Sequence, residues 1–266
     1  MIIEDVTEAP APDGAWTEHL AAAHQLLEAA GQAGLTLRLV GSVGCRLHCA
    51  GHEWAFGALE REDPPDLDLV APGKDRNGVR RIFGELGYDE DRDMTVAMEG
   101  RRYKYWRSRD RLNADLFVDR LEFCHPIDVT KRFGLDSPTL SLADLVLSKL
   151  QIVEMNLKDL KDLTVLFLAH DVGSGDREAV DPGYIARLGS EDWGLYYTMS
   201  RNVERVRAFL EGVPFADELR VTARRRIDAL WDAVQASPKS LKWKLRAKVG
   251  PRVQWYQDVS EPEPTF

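Results

Sequence analysis

The residues with the plainest chemical potential are three aspartates set in apolar runs. Asp66 and Asp68 stand in DLDLV (Asp66 to Val70), and Asp115 stands in NADLFVD (Asn113 to Asp119). In an extended chain residues two apart face the same side, so Asp66 and Asp68 project together with Leu67 and Leu69 behind them. Two adjacent carboxylates repel each other unless a cation lies between them or one keeps its proton. A third at Asp115 completes an oxygen donor set suited to Mg²⁺, or Mn²⁺ in its place, and to a phosphate-bearing substrate. The chemistry so implied is phosphoryl or nucleotidyl transfer. Asp119 shares the parity of Asp115 but ends the run beside Arg120, where a strand-end salt bridge is expected; Asp115 is the expected metal ligand.

Upstream lies LRLVGSVG, Leu37 to Gly44. A glycine lets backbone approach a phosphate, and a serine with free N–H groups at a helix start can hold one. Gly41 and Ser42 are therefore candidate nucleotide-binding residues. Two basic runs offer counter-charge. Arg101 to Arg111 carries six basic residues and one acid, and Lys239 to Arg252 carries six and none. Each is either a solvated face or an anion site; as sites, the first, through Arg102 and Lys104, meets a triphosphate, and the second, with Trp243, meets RNA. Lys149 falls near the apolar face of a helix with Leu145, Leu150, Ile152 and Val153, where it either snorkels or points its ammonium into a site. Lys158 to Asp162 (KDLKD) reads alone as an ordinary charged helix surface. Cys45, His48, Cys49 and His52 have zinc-ligand chemistry, but at i, i+3, i+4, i+7 they form one helical stripe, which cannot surround a metal tetrahedrally.

The elements that must position these groups follow from periodicity and punctuation. A helix is expected over Thr17 to Ala33, with Leu20, Ala23, His24, Leu27 and Ala30 on one face. A strand follows over Leu35 to Val40, then a helix after the Gly-Ser turn, a loop or insertion over 52 to 65, and a strand from Asp66 to Val70. Asn77 to Leu86 reads as a short helix, Thr95 to Met98 and Arg102 to Trp106 as hairpin strands, and Ala114 to Val118 as a strand. Residues 120 to 140 read as irregular. Beyond Pro138 helices are expected over Ser141 to Asn156, Lys158 to His170, Pro182 to Leu188, Trp193 to Leu210 and Ala216 to Ala236, with no convincing strand. The expected organisation is a flexible arm (1–16), an α+β domain (17–138), a helical domain (139–250) and a tail (251–266).

With 266 residues, 44% hydrophobic and 30% charged, the composition is that of an ordinary globular protein. A net charge of −9 argues against a protein that coats nucleic acid broadly. No apolar run approaches the length of a bilayer span, so no membrane partner is expected. The opening MIIEDVTEAPAPDG lacks a basic segment followed by an apolar one. With three cysteines, a reduced cytoplasmic setting is expected.

Together, Gly41, Ser42, Asp66, Asp68 and Asp115 resemble the nucleotidyltransferase superfamily with the polymerase-beta-like core. Its pattern is a strand ending in Gly-Gly or Gly-Ser, a helix, a strand with Asp-x-Asp and a later strand with a third Asp. The helical half resembles the AbiEii group of abortive-infection and toxin nucleotidyltransferases, through Lys149 and the segment from Lys158 to Leu163. The resemblance covers roughly residues 35 to 170. It implies a nucleotidyltransferase-like mixed β-sheet with flanking helices, followed by a helical domain. It implies transfer of a nucleoside monophosphate from an NTP to a hydroxyl acceptor, an RNA or tRNA end or a small molecule, and a possible cognate antitoxin. Lys149 then neutralises triphosphate charge, and Asp162 orients Lys149, the base or the sugar. The same acids also suit a nucleotide-binding module without turnover, or a metal-dependent phosphatase or nuclease.

Overall fold

The computed structural model describes residues 15–175 and 178–258. Most of the expected arm (1–14) and the end of the expected tail (259–266) lie outside the described residues. The chain opens with α1 (Ala15–Gln32), β1 (Arg38–Val40), α2 (Gly41–His48), α3 (Glu53–Ala58), β2 (Asp66–Ala71) and α4 (Arg76–Glu85). It continues through β3 (Asp89–Glu90), α5 (Arg92–Ala97), β4 (Arg102–Arg107), β5 (Leu112–Val118), β6 (Arg120–Leu121) and β7 (Ile127–Asp128). Next come α6 (Leu142–Leu150), α7 (Leu157–Ala169), β8 (Asp171–Val172), β9 (Ala179–Val180), α8 (Pro182–Glu191), α9 (Trp193–Leu210), α10 (Asp217–Ala236) and α11 (Leu241–Val249). Among the described residues no helix is long and apolar enough to cross a membrane.

β1, β2, β5, β4 and β3 form one mixed sheet in that order. The β2–β5 pair is parallel and the others are antiparallel. Alternation along the strands divides its two faces. Leu67, Leu69, Ala71, Tyr103, Tyr105, Leu112, Ala114 and Leu116 turn to one side, into a core closed by Ala22, Ala23 and Leu26 of α1 and Val79, Ile82 and Phe83 of α4. The opposite face carries Asp66, Asp68 and Val70 on β2, Asp115 and Phe117 on β5, and Arg102 and Lys104 on β4. Val70 and Phe117 join a second core with α2, α3, α6 and the later helices. That core runs across the division expected near residue 138, so the helical half is packed directly against the sheet's site face.

Several elements differ from the sequence reading, each for a local reason. Of Thr95 to Met98, expected as a strand, Thr95 to Ala97 belong to α5 and Met98 caps its end. The Asp91 carboxylate caps that helix by accepting from Met94 N–H at 2.9 Å. The partners of β4 are therefore β5 and β3. The expected loop at 52–65 holds α3, which buries Ala55 and Phe56. The irregular 120–140 stretch contains the β6–β7 pair, and β8 pairs with β9 beyond residue 138. The helix expected from Ser141 to Asn156 stops at Leu150. Gln151 Nε2 donates to Ser148 O, and Asn156 starts α7 through a reciprocal capping box with Asp159. On α1 the buried residues are His19, Ala22, Ala23, Leu26 and Ala30, so the inward face is rotated from the expected one and His24 is exposed. α11 was not expected as a helix.

Gly41 sits where β1 becomes α2, with φ +66°. A Cβ there would lie 2.0 Å from Asp68 Oδ2. The position thus demands glycine twice, for its backbone angle and for the carboxylate pressed against it. Gly41→Ala is expected to cost about 3 kcal/mol or more, combining left-handed strain with a displaced Asp68. Gly57→Ala, in open space on α3, is expected to be neutral or slightly stabilising. Urea midpoints of the two variants check this; equal midpoints would remove the steric argument.

Candidate functional site

The strand register lays the site face out in rows. Val40, Asp68, Asp115 and Lys104 lie side by side on β1, β2, β5 and β4, and the adjoining row is Arg38, Val70, Phe117 and Arg102. Asp66 is paired with Asn113. Arg102 stands over the Phe117 ring, 5.3 Å from its centroid, and reaches diagonally to Asp115. Its Nε and Nη2 donate to Oδ1 and Oδ2 of Asp115 at 3.1 and 2.9 Å. Asp119, the rejected alternative, accepts from Gly73 N–H at 2.8 Å and so closes the strand-end turn.

Burial, then the negative charge of its neighbours, governs the β2 acids. Desolvation pushes the Asp66 carboxyl up, and Asp115 adds to the shift. Asp68 is enclosed by protein on nearly every side while keeping some surface, and it is pushed up to about 7 by burial, then Asp66 and Asp115. Lys149 and Arg102 oppose both shifts. Oxygen donors under mutual repulsion match the needs of a hard divalent cation. Yet among the described residues no three His, Cys, Asp or Glu side chains are grouped to hold a metal, the three aspartates included. Asp66 and Asp68 fit a cation by chemistry and charge; Asp115 gives both oxygens to Arg102.

On the other side of Gly41 lies a second cluster, buried and tightly bonded. Ser42 Oγ donates to Asp162 Oδ2 at 2.9 Å and accepts from Arg61 Nη2 at 2.8 Å and Lys149 Nζ at 3.3 Å. Arg61 Nε donates to Asp162 Oδ1 at 2.8 Å. Lys149 Nζ donates to Asp159 Oδ1 at 2.9 Å and lies 3.1 Å from Asp162 Oδ2. Burial alone would lower the Lys149 ammonium, but Asp162 and then Asp159 hold it above the usual lysine range. Burial would raise Asp162, but Lys149 and Arg61 hold it below the ordinary carboxylate range. One hydroxyl has one proton to give and two lone pairs, so Ser42 Oγ is saturated by these neighbours. Lys149 and Asp162, expected as site residues, are thus together, and both Asp159 and Asp162 hold the lysine.

Arg61 is the residue that sequence reasoning missed. It lies in the stretch read as a loop, among Glu60, Glu62 and Asp63, where an arginine looks like surface charge. Its proximity to a DxD strand was the one available signal. His19 was missed too; it is buried on α1 and its charge bears on Asp66. The cysteine–histidine stripe does not act as a unit. Cys45 and Cys49 are buried, the Cys45 thiol is pushed up to about 12 by burial and Asp162, and His48 Nε2 is 2.7 Å from Thr139 Oγ1. Trp243 of the second basic run is half-buried, and its ring N–H donates to Gly189 O at 3.0 Å.

The shift of Asp68 has a defined sign. Between the ordinary 3.8 and the folded value of about 7, the folded chain keeps a proton that the unfolded chain releases. Stability from this group is full below pH 4 and falls through that window, by about 1.4 kcal/mol per pH unit at most. Asp68→Asn removes the titrating group. Without metal, the variant is expected to gain on the parent steadily from pH 4 to 7, seen as diverging melting temperatures; parallel profiles would refute the assignment. Arg61→Ala leaves the Asp162 carboxylate buried with one partner fewer, and a loss on the order of 3–5 kcal/mol is expected by chemical denaturation.

No known protein family, curated protein or solved structure matches this chain, so the functional reading rests on its own residues.

Proposed function

We propose that the chain is a Mg²⁺-dependent nucleotidyltransferase, a member in fold of the superfamily its motifs resemble, moving a nucleoside monophosphate from an NTP to a hydroxyl acceptor. The observation that carries the reading is the meeting of Asp66, Asp68 and Asp115 on one sheet face with the Gly41–Ser42 helix start. At Gly41 the backbone lies directly against the Asp68 carboxylate, which occupies the place a Cβ would take. Asp66 and Asp68 are the residues that would hold the cation, which when bound supplies charge neutralisation for the triphosphate and the departing pyrophosphate. The backbone amides at the start of α2 would be the groups to meet the phosphates. Arg102 and Lys104 bring positive charge to the same face, and a triphosphate competes with Asp115 for the Arg102 guanidinium.

Once released from Arg102, Asp115 accepts the proton of the acceptor hydroxyl. The acceptor oxygen bonds to the α-phosphorus, the bond to the bridging oxygen of the β-phosphate breaks, and pyrophosphate leaves with that electron pair. Lys149, held between Asp159 and Asp162, fixes Ser42 and lowers both β2 acids through its field. Its charge is already balanced, so it acts by position and field and not as a free counter-ion. The acceptor is an RNA or tRNA end or a small hydroxylated molecule, and the setting is cytoplasmic. Under the toxin-like branch a cognate antitoxin is the further partner.

A second reading draws on the same ion pair. With Arg102 on both oxygens of Asp115, the chain could bind a nucleotide without turning it over. Incubation with Mg²⁺, each labelled NTP and a cell extract separates the two. Transferred label with stoichiometric pyrophosphate is expected, and Asp66→Ala is expected to reduce it by about a thousandfold or more while the melting curve stays cooperative. Nucleotide binding without pyrophosphate supports the second reading; orthophosphate or cut strands point to a hydrolase. Full transfer by Asp66→Ala would defeat the metal-ligand assignment.

A further inference from the structure

α11 is anchored on one side and open on the other. Ser240 caps its start by accepting from Trp243 N–H at 3.1 Å. Trp243 bonds Gly189 O and lies edge-on to Tyr196, while Arg246 covers the Trp193 ring at 4.5 Å and donates to Gly250 O and Val253 O. These contacts fix which face turns away from α8 and α9. Leu241, Leu245 and Val249, at i, i+4 and i+8, are 73%, 54% and 43% exposed, and Val253 beyond the closing turn is 57% exposed. The other large exposed hydrophobics among the described residues, Trp54, Val96, Trp106, Leu157 and Val221, lie singly on five different elements. Scattered singles are normal on a protein surface, whereas a contiguous stripe marks a contact.

The flanks of the stripe say what it contacts. Lys242, Lys244, Lys248 and Arg252 are exposed beside it, and residues 239–252 contain no acid. None of these four cations has a carboxylate partner among the described residues. We propose that α11 is a docking helix for an acidic amphipathic helix of a separate polypeptide, whose aliphatic side chains cover the stripe and whose carboxylates meet the flanking cations. A second copy of this chain would set the same lysines against each other. A bilayer surface takes a broad apolar face, whereas this stripe is one residue wide along α11, and the vesicle arm of the test separates the two. A nucleic-acid backbone gains nothing from a leucine stripe.

The test uses the full chain and a fluorescent synthetic helix with leucines at every third and fourth position and glutamates flanking them. Anisotropy is expected to show saturable binding that weakens at least tenfold with Leu245→Asp, at least tenfold with the double variant Lys244→Glu/Lys248→Glu, and severalfold at high salt. Both variants are expected to melt with the parent, since the altered side chains are exposed. Absent binding, or binding equal in parent and variants, overturns the proposal. So does dimer sedimentation abolished by Leu245→Asp, partition into vesicles of mixed neutral and anionic lipid, or binding seen only after removal of residues 259–266. None of these outcomes depends on whether the chain transfers nucleotides.

Discussion

A single buried carboxylate holds the candidate site together. Asp162, on α7 and fully removed from solvent, accepts from Ser42 at the start of α2, from Arg61 in the segment after α3, and pairs with Lys149 on α6. An uncompensated charge at that depth would be untenable, so each partner must be in place for the chain to close. Four chain segments, α2, the stretch after α3, α6 and α7, are thereby locked to one another at the edge of the sheet. The satisfied network leaves little freedom for the Gly41–Ser42 turn, and that turn sets the distance between backbone and Asp68.

The charge balance on the two sides of Gly41 is unequal, and the inequality has a direction. Arg61 and Lys149 offset Asp159 and Asp162, so the buried cluster is neutral. On the sheet face, Asp66, Asp68 and Asp115 meet Arg102, bonded to Asp115, and Lys104 in register with Asp115, so the acids outnumber the bases by one. Burial first, and then this negative charge, push the Asp68 carboxyl up to about 7. Under the proposed reading, a cation bound there would displace the Asp68 proton and offset the surplus.

What the sequence made legible depended on period. Asp66, Asp68 and Asp115 interrupt runs in which alternate residues are apolar, and alternation survives folding directly as the two faces of a sheet. The end of α6 was harder: Ile152 and Val153 continue the apolar pattern, but the chain turns because Gln151 is drawn back to Ser148 and to His125 N–H. Thr95 to Met98 has strand-like composition, yet one capping carboxylate at Asp91 decides for helix. Arg61 had only its nearness to the DxD strand to mark it. Its partner is Asp162, a hundred positions away, and only tertiary packing separates a buried arginine from a solvated one in a charged stretch.

The two basic runs show the same limit from the other side, because a run in sequence is cut apart by the element that carries it. On β4, Arg102 and Lys104 belong to the site face, whereas Arg107 turns to the opposite face, pairs with Asp110 and lies over the Tyr88 ring. On α11, Arg246 turns toward the body while Lys242, Lys244 and Lys248 remain outside. Six charges in a row are therefore never one patch. What a ligand meets is the subset that strand parity or helical phase leaves on one face, together with whatever else that face carries: carboxylates beside Arg102, leucines beside Lys244. Under the two proposals, the first combination would suit a polyphosphate with its cation, and the second an acidic helix. The same residue type thus meets two different surroundings in one chain, set by the neighbours its backbone periodicity assigns.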